Sequence, residues 1–387
     1  MAMQVLQNKR MRSAYGFDEV ALVPGGVTIN PEQTDISFSI GDLGFSIPIL
    51  AAAMDAVVDV PFAISLSKLG GLAVLNLEGL QTRYQDPSGI LAEIAEAVKD
   101  KSVALLQQVY SEPIKESLIG DRVRAIKEGG AICAASVTPA NTKRLAPVAA
   151  EAGLDILVIQ STVTTARHIS KSYRGLVFSE LCQWIQIPII VGNCVTYSVA
   201  RELLETGIAG VLVGVGPGAA CTTREVLGVG VPQVTATMDC AAARDDYFGE
   251  TGRYIPIITD GGIRTSGDIC KALASGADAV MLGSILAQAE EAPGKGSHWG
   301  MSTPHPALPR GAKVEVGVSG SLRQILFGPA SVTDGTQNLT EALHTAMGVC
   351  GARTIKEMHQ VEMVLAPSIK SEGKQLQLLQ GVVRQTL

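Results

Sequence analysis

No two cysteines in this chain are spaced as CxxC, and their number, seven, is odd. That argues against a disulfide framework or a zinc site and for a reducing, cytoplasmic setting. Aromatic residues make up only 4% of the 387 positions, too few for the stacking platforms that hold single-stranded nucleic acid. Lys and Arg number 31 against 37 Asp and Glu, a net charge of −6, and no basic cluster is dense enough to follow a phosphate backbone. These counts exclude nucleic acid as the expected partner. No apolar run approaches the roughly 20 residues that cross a bilayer. The opening MAMQVLQNKRMRSAYGF has no apolar core for a signal peptide. No membrane partner is expected either.

What the chain does have is short apolar runs, within a composition that is 47% hydrophobic. Runs at 49–53, 72–76, 132–136, 155–159, 188–192, 210–214, 255–259 and 278–282 are apolar at successive positions, the pattern of strands buried on both faces. Amphipathic or Ala-rich segments lie between them, among them 88–99, 139–152, 196–206 and 266–275. Thr196 and Ser266 are placed to open the last two, and Gly207 and Gly276 to end them. Eight strands, each followed by helix, predict an α/β fold closed as a (β/α)8 TIM barrel, a single domain over 1–387; an open doubly wound sheet is the competitor. Two connections are long. Residues 77–131 separate the second and third strands. Residues 292–337 follow the eighth, with little helical period, and suggest a lid or a disordered insertion whose core is a short active-site flap at 292–315. The segment 338–365 has helical character again, and 366–387 forms a loosely held tail.

In such a barrel, chemistry gathers just after the strand C-termini. Asn193 follows the fifth strand, GVGPGAACTTREV (214–226) the sixth, Asp260-Gly261-Gly262 the seventh, and Gly283-Ser284 the eighth. Glycines ahead of a helix let an anion approach bare N–H groups, so the last two loops predict a phosphate site; tight βα turns are the alternative. Asp260 suits a ribose diol or, alternatively, a helix cap. GVGPGA matches the dinucleotide pattern G-x-G-x-x-A, but it lies in the sixth unit and runs into Cys-Thr-Thr. It serves better as a flexible loop presenting Cys221, whose thiolate would be a strong nucleophile. The other cysteines, such as Cys133 on a strand, suit small core positions.

GFDEVALVP (16–24), PILAAAMDAV (48–57), VGNCVT (191–196), the cysteine loop, TDGGIRTSGDICKALASGADAVMLGS (259–284) and MGVCGARTIKEM (347–358) together resemble the IMP dehydrogenase and GMP reductase family. The resemblance is closest to the dehydrogenase-related group lacking the regulatory CBS pair, for which 77–131 leaves no room. It implies a homotetramer that oxidises inosine 5′-monophosphate (IMP) to xanthosine 5′-monophosphate (XMP) with NAD in guanine nucleotide synthesis. By position, Cys221 resembles the nucleophile and Thr223 a helper of the water-activating base, for which Arg310 is the candidate. Glu315 resembles the acidic partner of that threonine. Arg310 could instead be a solvated loop arginine, and Glu315 an ordinary surface carboxylate. His305, between prolines on the same loop, could be a second base or a loop-ordering residue. Asp260 resembles the diol ligand, and Gly261, Gly262, Gly283 and Ser284 the phosphate cradle. Met54, Asn193, Gly300 and Met301 resemble base-side contacts, and Gln160 and Ser161 the cofactor side. Carbonyls of Gly216, Gly218 and Cys221 resemble part of a monovalent cation (K+) site.

Departures from the family pattern keep rival reactions open. Ala52 and Ala219 replace serines that contact the nucleotide in many relatives, and Gln160 replaces an aspartate near the nicotinamide ribose. GVGPG…CTTR, and Glu315 in VEV, are worded more like GMP reductase, which reduces GMP to IMP with NADPH. LVPGG, TREVLGVG and Arg310 favour the dehydrogenase, as does the lack of a lysine in VLNLEG (74–79). A nucleotide-binding regulatory pseudoenzyme would leave the thiol without purpose. A flavin-dependent barrel would leave the cysteine loop unexplained.

Overall fold

A computed structural model describes residues 11–169, 175–300 and 312–368. Eight parallel strands close into a barrel: Ile49–Ala51, Leu72–Asn76, Ala134–Val137, Ile156–Gln160, Ile189–Cys194, Gly210–Val213, Ile257–Asp260 and Ala279–Leu282. They are called the first to eighth strands. The eighth returns to the first through Val280 opposite Ile49 and Leu282 opposite Ala51. The open doubly wound sheet is thereby excluded.

Alternation along these strands divides their side chains between two cores. Leu50, Val74, Val158, Ile190, Leu212 and Met281 fill the barrel interior. Their neighbours, such as Leu75, Leu157, Val213 and Val280, pack outward against the helices. Both faces are therefore apolar, because each is covered. The N-terminal end is plugged by a hairpin of Phe38–Ile40 and Leu43–Phe45, whose Ile40 and Phe45 join the interior core. With one mouth sealed, only the other can admit a ligand.

All eight expected strands form, with ends shifted by at most two residues. The seventh starts at Ile257 rather than 255, since Pro256 has no N–H to donate and the Ile257 N–H goes to Asp278 Oδ2 at 2.8 Å. Helix Tyr197–Leu204 is capped by Thr196 as expected. Helix Ser266–Ala274 is capped one residue earlier than expected: the Thr265 hydroxyl accepts the Asp268 N–H, and Ser266 is already helical. Residues 77–131 hold three helices, Ser88–Glu96, Lys99–Val109 and Glu116–Glu128. The 292–337 connection is more regular than its composition suggested. Ser297–Trp299 and Lys313–Glu315 pair as a ribbon, and Ser321 caps a helix over Leu322–Phe327. The end of the segment expected to be helical is instead a strand, Met363–Leu365, paired with Val20–Leu22.

Beneath the barrel, Arg244 on helix Gln233–Thr251 is 1% exposed. It donates to Asp278 Oδ2 at 2.7 Å and to Gly276 O at 3.2 Å. Removing one partner of a buried pair strands the other charge, at a cost of about 3–5 kcal/mol. Arg244→Met should lower the urea unfolding midpoint accordingly; an unchanged midpoint would show that the pair contributes nothing net.

Candidate active site

The open mouth holds a cavity of about 580 Å³, within the usual range for small-molecule sites. Loops from the C-terminal strand ends line it. The most constrained is 214–222. A Cβ on Gly214 (φ +150°) would stand 2.3 Å from the Asp260 carbonyl oxygen, so only glycine allows the sixth and seventh strands to leave the barrel this close together. Gln233 joins them, donating from Nε2 to Val213 O and Asp260 O, each at 2.9 Å. Arg224 folds back onto Val215 O (3.2 Å) and Val231 O (2.7 Å), fixing the far end of the loop.

The turn then places Cys221 against the cavity. Its N–H donates to Gly218 O at 3.0 Å, and its Sγ–H donates to Thr223 Oγ1 at 3.2 Å. Thr223 is buried, at the start of a five-residue helix, Thr223–Leu227. Cys221 is the one cysteine among the described cavity-lining residues. Cys133 and Cys270 are core thiols, pushed up to about 12 by burial. Gly216 and Gly218 both line the cavity. The Gly218 carbonyl is already turned to the Cys221 N–H, and these carbonyls alone are too few to enclose a cation.

Asp260 ends the seventh strand. Its Oδ2 accepts from Gln160 Nε2 at 2.8 Å and Asn193 Nδ2 at 2.7 Å. It caps no helix; Thr265 does that. The residue is only partly covered, but its open edge faces the cavity, and burial raises its carboxyl to about 6 despite the two donors, which pull it down. Ser161 Oγ donates to Val163 O at 2.8 Å, and both Gln160 and Ser161 line the cavity.

Gly261 (φ +82°) and Gly262 (φ +77°) turn the chain away from Asp260 under Pro217. Gly283 lies so close to Met54 that a Cβ there would be 3.0 Å from its Sδ. The helix-end contribution expected at these loops is weaker than the sequence suggested. Asp268 already occupies the first turn of helix Ser266–Ala274, and the eighth strand leads only to a 3-10 turn, Leu286–Gln288. An anion would rely on loop N–H groups and on Ser284, whose Oγ lies 2.9 Å from His298 Nε2.

Sequence reasoning missed His298. It is 1% exposed and lines the cavity, and burial pushes it down to about 4, so the imidazole is neutral at physiological pH. The HWGM stretch drew attention to the residues after it; only the ribbon pairing turns His298 toward Ser284. Also missed were cavity-lining residues after the second and third strands: Ser136, Arg83 and Glu78, whose carboxylate accepts from Thr138 and Asn141. Gly300 lines the cavity, while Met301, His305 and Arg310 lie outside the described residues. Glu315 is not brought into the lining. Its side chain is 76% exposed and 3.2 Å from Lys313 Nζ, the setting of a surface carboxylate.

Residues 14–373 match the IMP dehydrogenase / GMP reductase domain. The chain belongs to the IMP dehydrogenase / GMP reductase family. An uncharacterized oxidoreductase of Mycobacterium leprae is 38% identical over 364 residues, covering 92% of this chain and 97% of the relative. An inosine-5′-monophosphate dehydrogenase of Methanocaldococcus jannaschii is 28% identical over 488 residues, covering 94% and 95%. That alignment is longer than this chain, so the relative carries inserted sequence that this family member lacks. A crystal structure of an IMP dehydrogenase/GMP reductase-like protein from Corynebacterium glutamicum superposes with a TM-score of 0.88 at 35% identity, covering 94% and 97%. Among the described residues no helix is long and apolar enough to cross a membrane.

A carboxyl raised by burial costs the folded state stability as it ionises. The native protein binds that proton more tightly than the unfolded chain, so the stability is present below about 4 and lost as pH rises to about 6. Asp260→Asn keeps an oxygen for the two amides and carries no charge. Its thermal midpoint should gain on the wild type between pH 4 and 6 and hold a constant lead above. A lead that does not change with pH would contradict the raised carboxyl.

Proposed function

We propose that the protein is an IMP dehydrogenase, oxidising IMP to XMP with NAD in guanine nucleotide synthesis. The observation that carries this reading is Cys221: one cavity-facing thiol on a glycine loop, at the same mouth as Asp260 and the Gly262, Gly283 and Ser284 loops. The Sγ–H bond to Thr223 Oγ1 orients the sulfur. As thiolate, Cys221 would bond to carbon 2 of the purine, making that carbon tetrahedral so that its hydrogen can leave with the electron pair. NAD, when bound, accepts that hydride. The sulfur–carbon bond remains as a thioimidate, which water cleaves to XMP and free Cys221. The base for that water we assign to Arg310, helped by Thr223.

The Gly262 and Gly283 N–H groups have no protein partner among the described residues, which supports a phosphate there beside Ser284, whose hydroxyl is held by the neutral His298. The Ser136 and Thr138 hydroxyls in the same cavity lining support a place for the dinucleotide. The exposed apolar side chains Val226, Leu227 and Val229 beside the cysteine loop support a homotetramer that covers them. Seven free cysteines support a reducing cytoplasm. GMP reductase is the second reading, favoured by the wording of the cysteine loop and by Ala219 in the cavity lining.

Paired assays decide between them. Reduced nicotinamide should accumulate with IMP plus NAD, and GMP plus NADPH should give no turnover; the reverse selects the reductase, and silence in both overturns the enzyme reading. Cys221→Ala should lose turnover by roughly ten-thousand-fold or more while still binding IMP, as followed by calorimetry. Retained turnover would show that another residue attacks.

A further inference from the structure

Gln160 ends the fourth strand, Asn193 lies on the fifth and Asp260 ends the seventh, yet their side chains meet at one atom. Both amide nitrogens donate to Asp260 Oδ2, at 2.8 and 2.7 Å. The carboxylate fixes which way each amide faces, because a reversed amide would set its carbonyl oxygen against a carboxylate oxygen. The remaining atoms of the trio are therefore acceptors. Asn193 Oδ1 is sealed without a partner. Gln160 Oε1 and Asp260 Oδ1 have no protein partner among the described residues and are not sealed, and both residues line the cavity.

A wall of acceptors takes a ligand that brings O–H donors. A ribose brings two adjacent ones. Asp260 Oδ2 already holds two donors, so the carboxylate offers only Oδ1 at full strength. The second hydroxyl needs another acceptor, and Gln160 Oε1 is the one tied directly to the carboxylate. We propose that Gln160 is a sugar ligand of the substrate nucleotide, accepting one ribose hydroxyl while Asp260 Oδ1 accepts its neighbour, so that the pair selects ribonucleotides over deoxyribonucleotides. This rests on the nucleotide reading above. It moves Gln160 from the cofactor side, where the family resemblance put it, to the substrate side. The amide can do what a glutamate in the same place could not: a second carboxylate at the 2.8 Å separation of Gln160 Nε2 from Asp260 Oδ2 would force the two to share a proton.

Calorimetry with IMP, 2′-deoxy-IMP and 3′-deoxy-IMP at pH 8, where Asp260 is ionised, tests it. A hydrogen bond to a neutral acceptor changes affinity by roughly two- to tenfold, and one to a charged acceptor by roughly ten- to hundredfold. The wild type should show one penalty of each size. In Gln160→Met the smaller should fall below twofold while the larger persists; Gln160→Ala serves if that variant does not fold. Unchanged deoxy penalties, with the variant instead raising the KM for NAD tenfold or more, would return Gln160 to the cofactor and overturn the proposal alone. A wild type that binds neither IMP nor GMP would overturn the nucleotide reading, and this proposal with it.

Discussion

One amide holds the site in register. Gln233 reaches from its helix to the carbonyls of Val213 and Asp260, the last residues of two adjacent strands. Its own carbonyl oxygen is left sealed without a partner, a cost of about 1–3 kcal/mol that the two donated bonds must offset. The strand ends can approach this closely only because residue 214 has no side chain. The cysteine loop starts at one of these ends and Asp260 stands at the other, so the loop that carries Cys221 and the Asp260 carboxylate leave the barrel from adjacent strand ends.

The electrostatics of the mouth follow from its depth. Burial works in opposite directions on Asp260 and His298, raising the carboxyl toward neutral pH and holding the imidazole well below it. At physiological pH the site therefore offers the Asp260 carboxylate and an uncharged imidazole beside Ser284. Arg264 lines the cavity and is held by Asp268 and Asp18. An anion bound through aligned backbone donors gives up water for fixed dipoles that need no reorganisation.

Much of this was legible in the chain because it depends on local pattern. Doubly apolar runs disclosed all eight strands, and punctuation after them located Cys221, Asp260 and the two glycine loops. What escaped depends on contacts across the barrel. Gln160 faces Asp260 a hundred residues away, and no spacing rule links them. His298 reaches Ser284 because a ribbon forms in a segment whose composition suggested a lid or a disordered insertion. Glu315 shows the same dependence in reverse: it carries a family-like wording, and its ribbon position turns it to solvent. Thr265 displaced Ser266 as a cap because two adjacent hydroxyl residues both satisfy the capping rule and only the backbone path chooses.

The central claim is a covalent bond between Cys221 and the purine. Its most direct test is rapid acid quenching during turnover of IMP with NAD, followed by digestion and mass spectrometry. The account predicts a nucleotide adduct on the peptide containing Cys221. An adduct on any other cysteine, or none at all during steady turnover, would contradict it.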